Sequence, residues 1–225
     1  MILSIDTSTP VCSVALTDGN VLVAQRSTEG AQIHISALTP FIDEILLEAD
    51  DAGKELKALG IAIGPGSFNG LRIGLATVKA IAWARDLPVI PIASLDALAH
   101  QLQGRFSGTA RIVVYSHRNY LHFADYHLSD DGSFTTPDFR YGTFEDAFAT
   151  VSTPVFGDDR GGLADWLNKN DLIDFRSLKA NAAALGRLSA DRLDSATREL
   201  HTLEPLYNAT YHARKWVPSG PAAKP

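Results

Sequence analysis

A short apolar run, Leu59-Gly60-Ile61-Ala62-Ile63, leads directly into Gly64-Pro65-Gly66-Ser67-Phe68-Asn69-Gly70, and the chain continues through Leu71-Arg72-Ile73-Gly74 into a long apolar segment with helical periodicity. A buried strand that turns through glycines straight onto a helix is a unit of layered α/β structure. Three glycines within seven residues cost backbone entropy, so other atoms must approach this backbone closely or the loop must need unusual dihedrals. The amide groups at the start of the following helix favour an anion such as a phosphate or carboxylate. A tight strand-to-helix turn that binds nothing satisfies the same pattern.

Two phosphate motifs can be tested by position. A Walker loop places Lys-Ser or Lys-Thr after its last glycine, whereas Leu71 and Arg72 follow Gly70. The dinucleotide fingerprint needs glycine where Asn69 stands, and it follows a first strand. A looser dinucleotide reading, for an NADP-type enzyme, uses Gly64, Gly66 and Gly70 with Asp96 toward the ribose.

With 225 residues and 45% hydrophobic content, one large or two small domains can bury a core. No run of 18 apolar residues exists, and Asp6 interrupts the first apolar stretch, so neither a membrane span nor a secretory signal is expected. The single cysteine, Cys12, forms no internal disulfide and reads as a small buried strand residue; a cytoplasmic location is the default. A formal charge of −6 argues against gripping nucleic acid unaided. The one short basic patch, residues 211–216, adjoins a Pro/Gly/Ala-rich terminus and reads as solvated.

The periodicity predicts a strand over 2–5, a hairpin of 13–17 and 21–26 through Asp18-Gly19, and a helix over about 33–50 with Leu38, Phe41, Ile42, Ile45, Leu46 and Ala49 on one stripe. Pro40 either kinks that helix or starts it behind a Thr39 cap. A strand over 59–63, the glycine loop, a helix to about Arg85 and a strand over 89–92 follow. The second half repeats the order: strands over 112–115, 120–128 and near 134–139, a short helix capped by Thr143, a strand over 153–156, and helices near 161–169 and 178–191. Two tandem β-β-β-α-β-α units are expected, with a boundary in residues 103–108 that divides the chain into 1–103 and 104–225.

The loop closely resembles the Gly-Pro-Gly-Ser-Phe-Thr-Gly-Leu-Arg-Ile-Gly segment of the TsaB (YeaZ) family, with Asn69 in place of Thr. Ile5-Asp6-Thr7-Ser8-Thr9 with Cys12-Ser13-Val14-Ala15-Leu16 looks like that family's opening strand and turn. His34 with Leu38-Thr39-Pro40 resembles its first-helix segment, and Glu204-Pro205-Leu206-Tyr207 its C-terminal signature. The resemblance implies a duplicated actin-like ATPase (ribonuclease H-like) fold. It also implies a partner subunit in forming N6-threonylcarbamoyladenosine at position 37 of tRNA. In that scheme a TsaD-type paralogue transfers the threonylcarbamoyl group, a TsaE-type ATPase assists, and tRNA is met only through the complex.

Catalytic chemistry in this chain itself finds thin support. Actin-like kinases hold nucleotide between two turns, each carrying an acidic residue that positions metal and water. Asp6 supplies one, but its turn lacks the glycine that lets backbone wrap a phosphate. In the second half Ser116 stands where the family usually has Asp, within Ser116-His117-Arg118-Asn119. The catalytic paralogues carry two histidines one helical turn apart; here His34 is followed by Leu38. His117, His122 and His127 are spaced by five, which alternates them across a strand. No nucleophile has His and carboxylate partners at a diagnostic local spacing, so the superfamily's old peptidase label gains nothing, and Asp50-Asp51 and Asp158-Asp159 read as loop charges. No catalytic residue or metal ligand is assigned. Asp6, Thr7, Ser8, Gly64, Gly66 and Ser67 are the candidate cofactor-binding residues, with ATP or ADP at the subunit interface as the candidate ligand.

From Leu71 to Ala84 only Arg72, Thr77 and Lys79 are polar, and Arg72, Ala76, Lys79 and Trp83 share a narrow stripe. A helix apolar nearly all round buries more than one face, either within its own chain or partly against a partner. Pairing through the first two helices, as the resemblance implies, points to Leu71, Arg72, Gly74, Leu75, Val78, Lys79, His34 and Leu38. The expectation is a non-catalytic partner that binds and activates a TsaD-type transferase and forms a homodimer when alone; the alternative is a stand-alone actin-like ATP-dependent kinase or ATPase.

Overall fold

The computed structural model describes residues 1–51, 55–149, 151–170 and 175–207. The basic patch at 211–216, the terminus beyond it, and the side chains of Asp50 and Asp51 lie outside the described residues.

The first half runs β1 (Ile2–Asp6), β2 (Val11–Asp18), β3 (Val21–Glu29), α1 (Ile33–Asp51), β4 (Ala58–Gly64), α2 (Phe68–Arg85), β5 (Val89–Ala93) and α3 (Ser94–His100). The second runs β6 (Gly108–His117), β7 (Tyr120–Leu128), β8 (Arg140–Thr143), α4 (Phe144–Phe148), β9 (Val155–Gly157), α5 (Leu163–Lys169), β10 (Phe175–Ser177) and α6 (Ala182–Asp191). The sheets have strand orders β3-β2-β1-β4-β5 and β10-β9-β6-β7-β8. Read from the third strand of each half, both are third, second, first, fourth, fifth. In each, the first strand is antiparallel to the second and parallel to the fourth. The chain is a duplicated actin-like α/β fold, each unit extended by one more strand and helix beyond the expected order.

The expected elements form where the periodicity places them, with longer strands and local differences. Pro40 lies inside α1, on its exposed side, rather than at its start; solvent there can take the carbonyl its missing N–H leaves free. Residues 133–139 form no strand, in contrast to the reading near 134–139, and β8 follows at Arg140–Thr143. Pro137 withholds a ladder donor, and Phe134 instead packs edge-on against Tyr126 at 5.3 Å. Thr143 caps α4 as expected, in a reciprocal capping box with Asp146.

Each sheet is covered on both faces, and the last helix of each unit crosses to the other unit's sheet. One face of the first sheet packs Leu3, Ile5, Leu59 and Ile61 against α1 and α2 through Leu38, Ile45, Leu75 and Val78. Its other face packs Ile2, Ala62, Ile90 and Ile92 against Leu185 and Leu188 of α6. Reciprocally, α3 lays Leu95, Leu98 and Ala99 on Ile112, Val114 and Ala124 of the second sheet. A cut after residue 103 falls in the turn between α3 and β6, so both units complete each other's core.

A buried carboxylate fastens this exchange. Asp96, fully buried at the start of α3, accepts from Tyr126 Oη–H at 2.6 Å, Thr136 Oγ1–H at 2.5 Å and Arg192 Nη1–H at 2.6 Å. The ribose role for Asp96 is therefore replaced by a structural one, and burial of the Tyr126 phenol, with the Asp96 carboxylate beside it adding to the effect, pushes that phenol's pKa up. Replacing Asp96 with Ala leaves the guanidinium and two hydroxyls without their acceptor. Urea unfolding of Asp96→Ala is expected to show a loss of about 3 kcal/mol or more.

Candidate functional site

The glycine loop closes onto the turn after β1. Ser67 N–H donates to Ser8 O at 2.7 Å, and Thr7 Oγ1–H donates to Gly70 O at 2.8 Å. A Cβ at Gly66 would lie 2.2 Å from Ser8 O, one at Gly70 2.1 Å from Thr7 O, and one at Gly74 2.2 Å from Thr7 Oγ1. The close approach that these glycines permit is thus to the chain's own atoms, backbone at Gly66 and Gly70 and the Thr7 hydroxyl at Gly74. Asp6, Thr7 and Ser8 are buried, and both Ser8 N–H and Ser8 Oγ–H donate to Asp6 Oδ1, at 3.0 and 2.6 Å. Burial pushes the Asp6 carboxyl above its ordinary range despite those donors. Among the candidate cofactor residues, Asp6, Thr7, Ser8 and Gly64 are enclosed by this packing; Gly64, at φ +115°, faces Leu206 O and Leu71. Gly66 and Ser67 alone of the six line a cleft.

The partner-face residues also need correction. Leu71, Gly74, Leu75, Val78, Leu38 and His34 are all buried within this chain. His34 Nε2 lies 2.8 Å from Thr9 O, a group that only accepts, so Nε2 carries the proton and Nδ1 is a buried acceptor without a partner among the described residues. Only Arg72 and the half-buried Lys79 reach solvent from that set. The outward face of α2 is instead Phe68, Arg72, Ala76, Ala80 and Trp83, the last 82% exposed. Ile35 on α1, 72% exposed, adds to the same end of the molecule and shares a groove with Arg72 and Ile73. Tyr207 stacks on Phe68 at 5.2 Å and Arg72 covers that ring at 5.0 Å.

Between the halves lies a cleft of about 260 Å³. Its first wall is the start of α2 and the segment at Leu206 and Tyr207; its second is Tyr115, Ser116 and His117 at the end of β6, with His122 on β7 and Arg160 after β9. Rings of His117, Tyr120, Tyr141 and His122 follow one another at 5.4, 5.3 and 4.9 Å. Arg160 is oriented by Asp158, with Nε 2.8 Å from Oδ1, and lies over Tyr115. His127 sits apart from this cleft, exposed beside Thr109. Among the described residues no three His, Cys, Asp or Glu side chains form a metal-binding group, and no helix is long and apolar enough to cross a membrane. Cys12 is buried and its thiol is pushed up to about 11 by burial, with Asp6 adding to the shift.

Residues 27–120 match the family described as TsaD, tRNA N6-adenosine threonylcarbamoyltransferase. The tRNA threonylcarbamoyladenosine biosynthesis protein TsaB of Haemophilus influenzae is 42% identical over 104 residues, covering 44% of this chain and 41% of that protein. Its Escherichia coli namesake is 30% identical over 133 residues, covering 58% and 57%. The chain is similar to the TsaB (YeaZ) proteins over these stretches. The aligned stretches thus span 41% and 57% of these relatives' own length. In fold, the chain is similar over 92% of its length to a Pseudomonas aeruginosa protein described as having similarity to peptidase YEAZ. The TM-score is 0.73 at 22% identity, with 99% of that chain covered. YeaZ from the same organism gives a TM-score of 0.70 at 20% identity, covering 92% of this chain and 98% of that one.

An alanine in an open helix position gains about 1 kcal/mol over glycine. Here Gly70→Ala is expected to lose about 1–2 kcal/mol net in urea unfolding, because overpacking against Thr7 O outweighs that gain. A second measurement concerns His122, whose imidazole is held down at about 4 by burial and by His117 beside it. The unfolded chain takes up this proton near 6.5 and the folded chain only near 4, so stability falls as pH drops through that window. Burial lowers His34 and His100 in the same direction. His122→Phe is expected to remove roughly 2 kcal/mol of the stability difference between neutral and acidic pH, read by urea unfolding at about pH 7 and about pH 4.5.

Proposed function

We propose that this chain is a non-catalytic partner subunit in the biosynthesis of tRNA threonylcarbamoyladenosine, docking to and activating a TsaD-type transferase through the outward face of α2 and the adjoining start of α1. The observation that carries the contact is Trp83, 82% exposed on a helix whose neighbouring outward residues, Ala76 and Ala80, are small enough for another helix to approach. Arg72 and Lys79 supply polar rim contacts beside it. The names of the relatives support the pathway, and the match to a TsaD description supports descent from a common actin-like ancestor with the transferase. A TsaE-type ATPase joins the pair, tRNA is contacted by the assembled complex, and the same helix face pairs two copies when the transferase is missing. A location in the cytoplasm follows from that role.

The two halves also support the non-catalytic part of this reading. The turn that carries Asp6 is filled by the glycine loop, and the turn at Ser116 carries no carboxylate.

Ala80→Arg and Trp83→Asp are each expected to weaken the complex with a TsaD-type protein at least about tenfold, or about 1.4 kcal/mol, in calorimetry. Both positions are on the surface, so the isolated variants should keep the parent's stability to within about 0.5 kcal/mol. Gly74→Leu is an unsuitable probe, because its side chain would collide with Thr7 inside the chain. Undiminished complex for both surface variants would refute the assigned face.

A further inference from the structure

We propose that the tip of the β6–β7 hairpin is a contact for an unpaired nucleotide of RNA, whose base stacks on the exposed ring of His117 while Arg118 meets its phosphate. This deepens the proposed function, since it rests on the reading that the chain works beside tRNA.

Four rings stand in a row across the end of the second sheet. His117 stacks on Tyr120 at 5.4 Å with 13° between the planes, Tyr120 stacks on Tyr141 at 5.3 Å and 19°, and Tyr141 meets His122 at 4.9 Å. One end of the row is closed, because His122 is buried. The other end is open: His117 is exposed, and Tyr120 is its one ring neighbour among the described residues. A planar ring laid on His117 would extend the row by one step.

A bulge puts His117 in that place. The pairing of β6 with β7 runs through Val114↔His122 and Tyr115↔Leu121 and then skips to His117↔Tyr120, so Ser116 is the extra residue. Side chains alternate along a strand. Without the extra residue His117 would share the face of Tyr115, which packs with Val113 and Leu121. The bulge turns it onto the opposite face, beside Tyr120, and the Ser116 hydroxyl, 3.2 Å from Nδ1, steadies the ring.

The turn itself is the second observation. Arg118 and Asn119 close the hairpin, and Arg118 takes φ +55° at the first of these two positions, where glycine avoids the steric cost of a Cβ. Arginine here gives up turn stability. What it adds is an exposed guanidinium with no ion pair or hydrogen bond among the described residues. An aromatic plane with an unpaired cation next to it matches the two parts of a nucleotide, and such stacking tolerates any base. One open ring admits one base, and the bases of a duplex, already stacked on each other, do not reach it. Glu145, whose carboxylate lies 3.5 Å from Asn119 Nδ2, repels a second phosphate on that side. With a formal charge of −6 the contact is weak alone, and in a complex it adds to contacts made by other subunits.

The test uses the full chain without any transferase, so its failure leaves the docking reading standing. NMR titration at low salt with a short single-stranded oligoadenylate should shift the His117 and Tyr120 ring signals saturably. The same strand in a duplex with oligouridine, and a peptide of alternating Phe and Glu, should not. His117→Ala should weaken oligoadenylate binding at least about fivefold, while His117→Phe, which keeps a ring, stays within about threefold of the parent. Arg118→Gly should resist urea about as well as the parent, because relief of the positive φ offsets glycine's freedom in the unfolded chain. It should nonetheless bind at least about threefold more weakly, with a shallower salt dependence. Absence of saturable shifts with the single strand at millimolar concentration overturns the proposal. So does binding of the duplex, the peptide or adenosine monophosphate as tightly as of the single strand, or unchanged affinity in folded His117→Ala.

Discussion

Three glycines of the segment 64–74 sit where there is no room for a side chain, and the atoms that occupy that room belong to residues 7 and 8 of the same chain. Two hydrogen bonds, Ser67 N–H to Ser8 O and Thr7 Oγ1–H to Gly70 O, hold the seam shut. Much else follows from this contact. It draws the first turn of α2 over the C-terminal end of β1 and thereby fixes the rotation of the helix about its axis. Leu75 and Val78 turn inward to the core of Ile5 and Ile61, Leu71 is buried beside Gly64, and Arg72, Ala76, Ala80 and Trp83 turn outward. The outward face of α2 is therefore a consequence of backbone packing on the opposite side of the helix.

The relation between the two halves has a different origin. Because α3 completes the core of the second sheet and α6 that of the first, moving the halves apart would expose Leu95, Leu98, Leu185 and Leu188. It would also break the bonds of Asp96 to Tyr126, Thr136 and Arg192, which join α3, β7 and the end of α6. Buried charge that loses a partner is strongly unfavourable. The width of the cleft is thus set by the core and the buried carboxylate of Asp96, so the groups facing each other across it are held in place by packing that lies elsewhere.

How much of this was legible in the sequence depended on whether a local pattern competed with a distant contact. The strand, glycine loop and α2 followed from apolar runs and turn residues, since that unit is stabilised by its neighbours in the chain. The segment 94–100 gave no helical signal of its own, because every residue of α3 is buried against two sheets and its apolar positions show no face. Residues 134–139 alternate in a strand-like way, yet Pro137 and the reach of Thr136 to Asp96 take them out of the ladder. The three-residue strand β10 is too short to carry a period. The outward face of α2 illustrates the same limit. A helix apolar nearly all round hides which side is inward, and only the rare polar residues, Arg72 and Lys79, marked the solvent side. Residues carried over by resemblance, such as Leu71 and Val78, were core residues of this chain. His122 and Arg160 were missed as cleft residues because they lie on different strands and loops; no spacing in the sequence brings them together.

The duplication explains why the cleft is asymmetric. In each unit the fourth strand ends in a glycine-bearing loop that leans on the end of the first strand. In the first unit Gly66 and Gly70 press on Ser8 and Thr7, and in the second a Cβ at Gly157 would meet Val113 O at 1.9 Å and one at Gly161 the Tyr115 ring at 2.0 Å. The seams are built alike, but the residues between the glycines differ. Ser67 and Asn69 are neutral, whereas the second loop inserts Asp158-Asp159-Arg160 and turns Arg160 toward the cleft across the Tyr115 ring. The second unit contributes Arg160, paired with Asp158, and two imidazoles, and the first contributes the amide end of a helix. One repeated packing device thus leaves different groups on the two walls of the cleft: the Arg160–Asp158 pair with two imidazoles on one, and the amide end of a helix on the other.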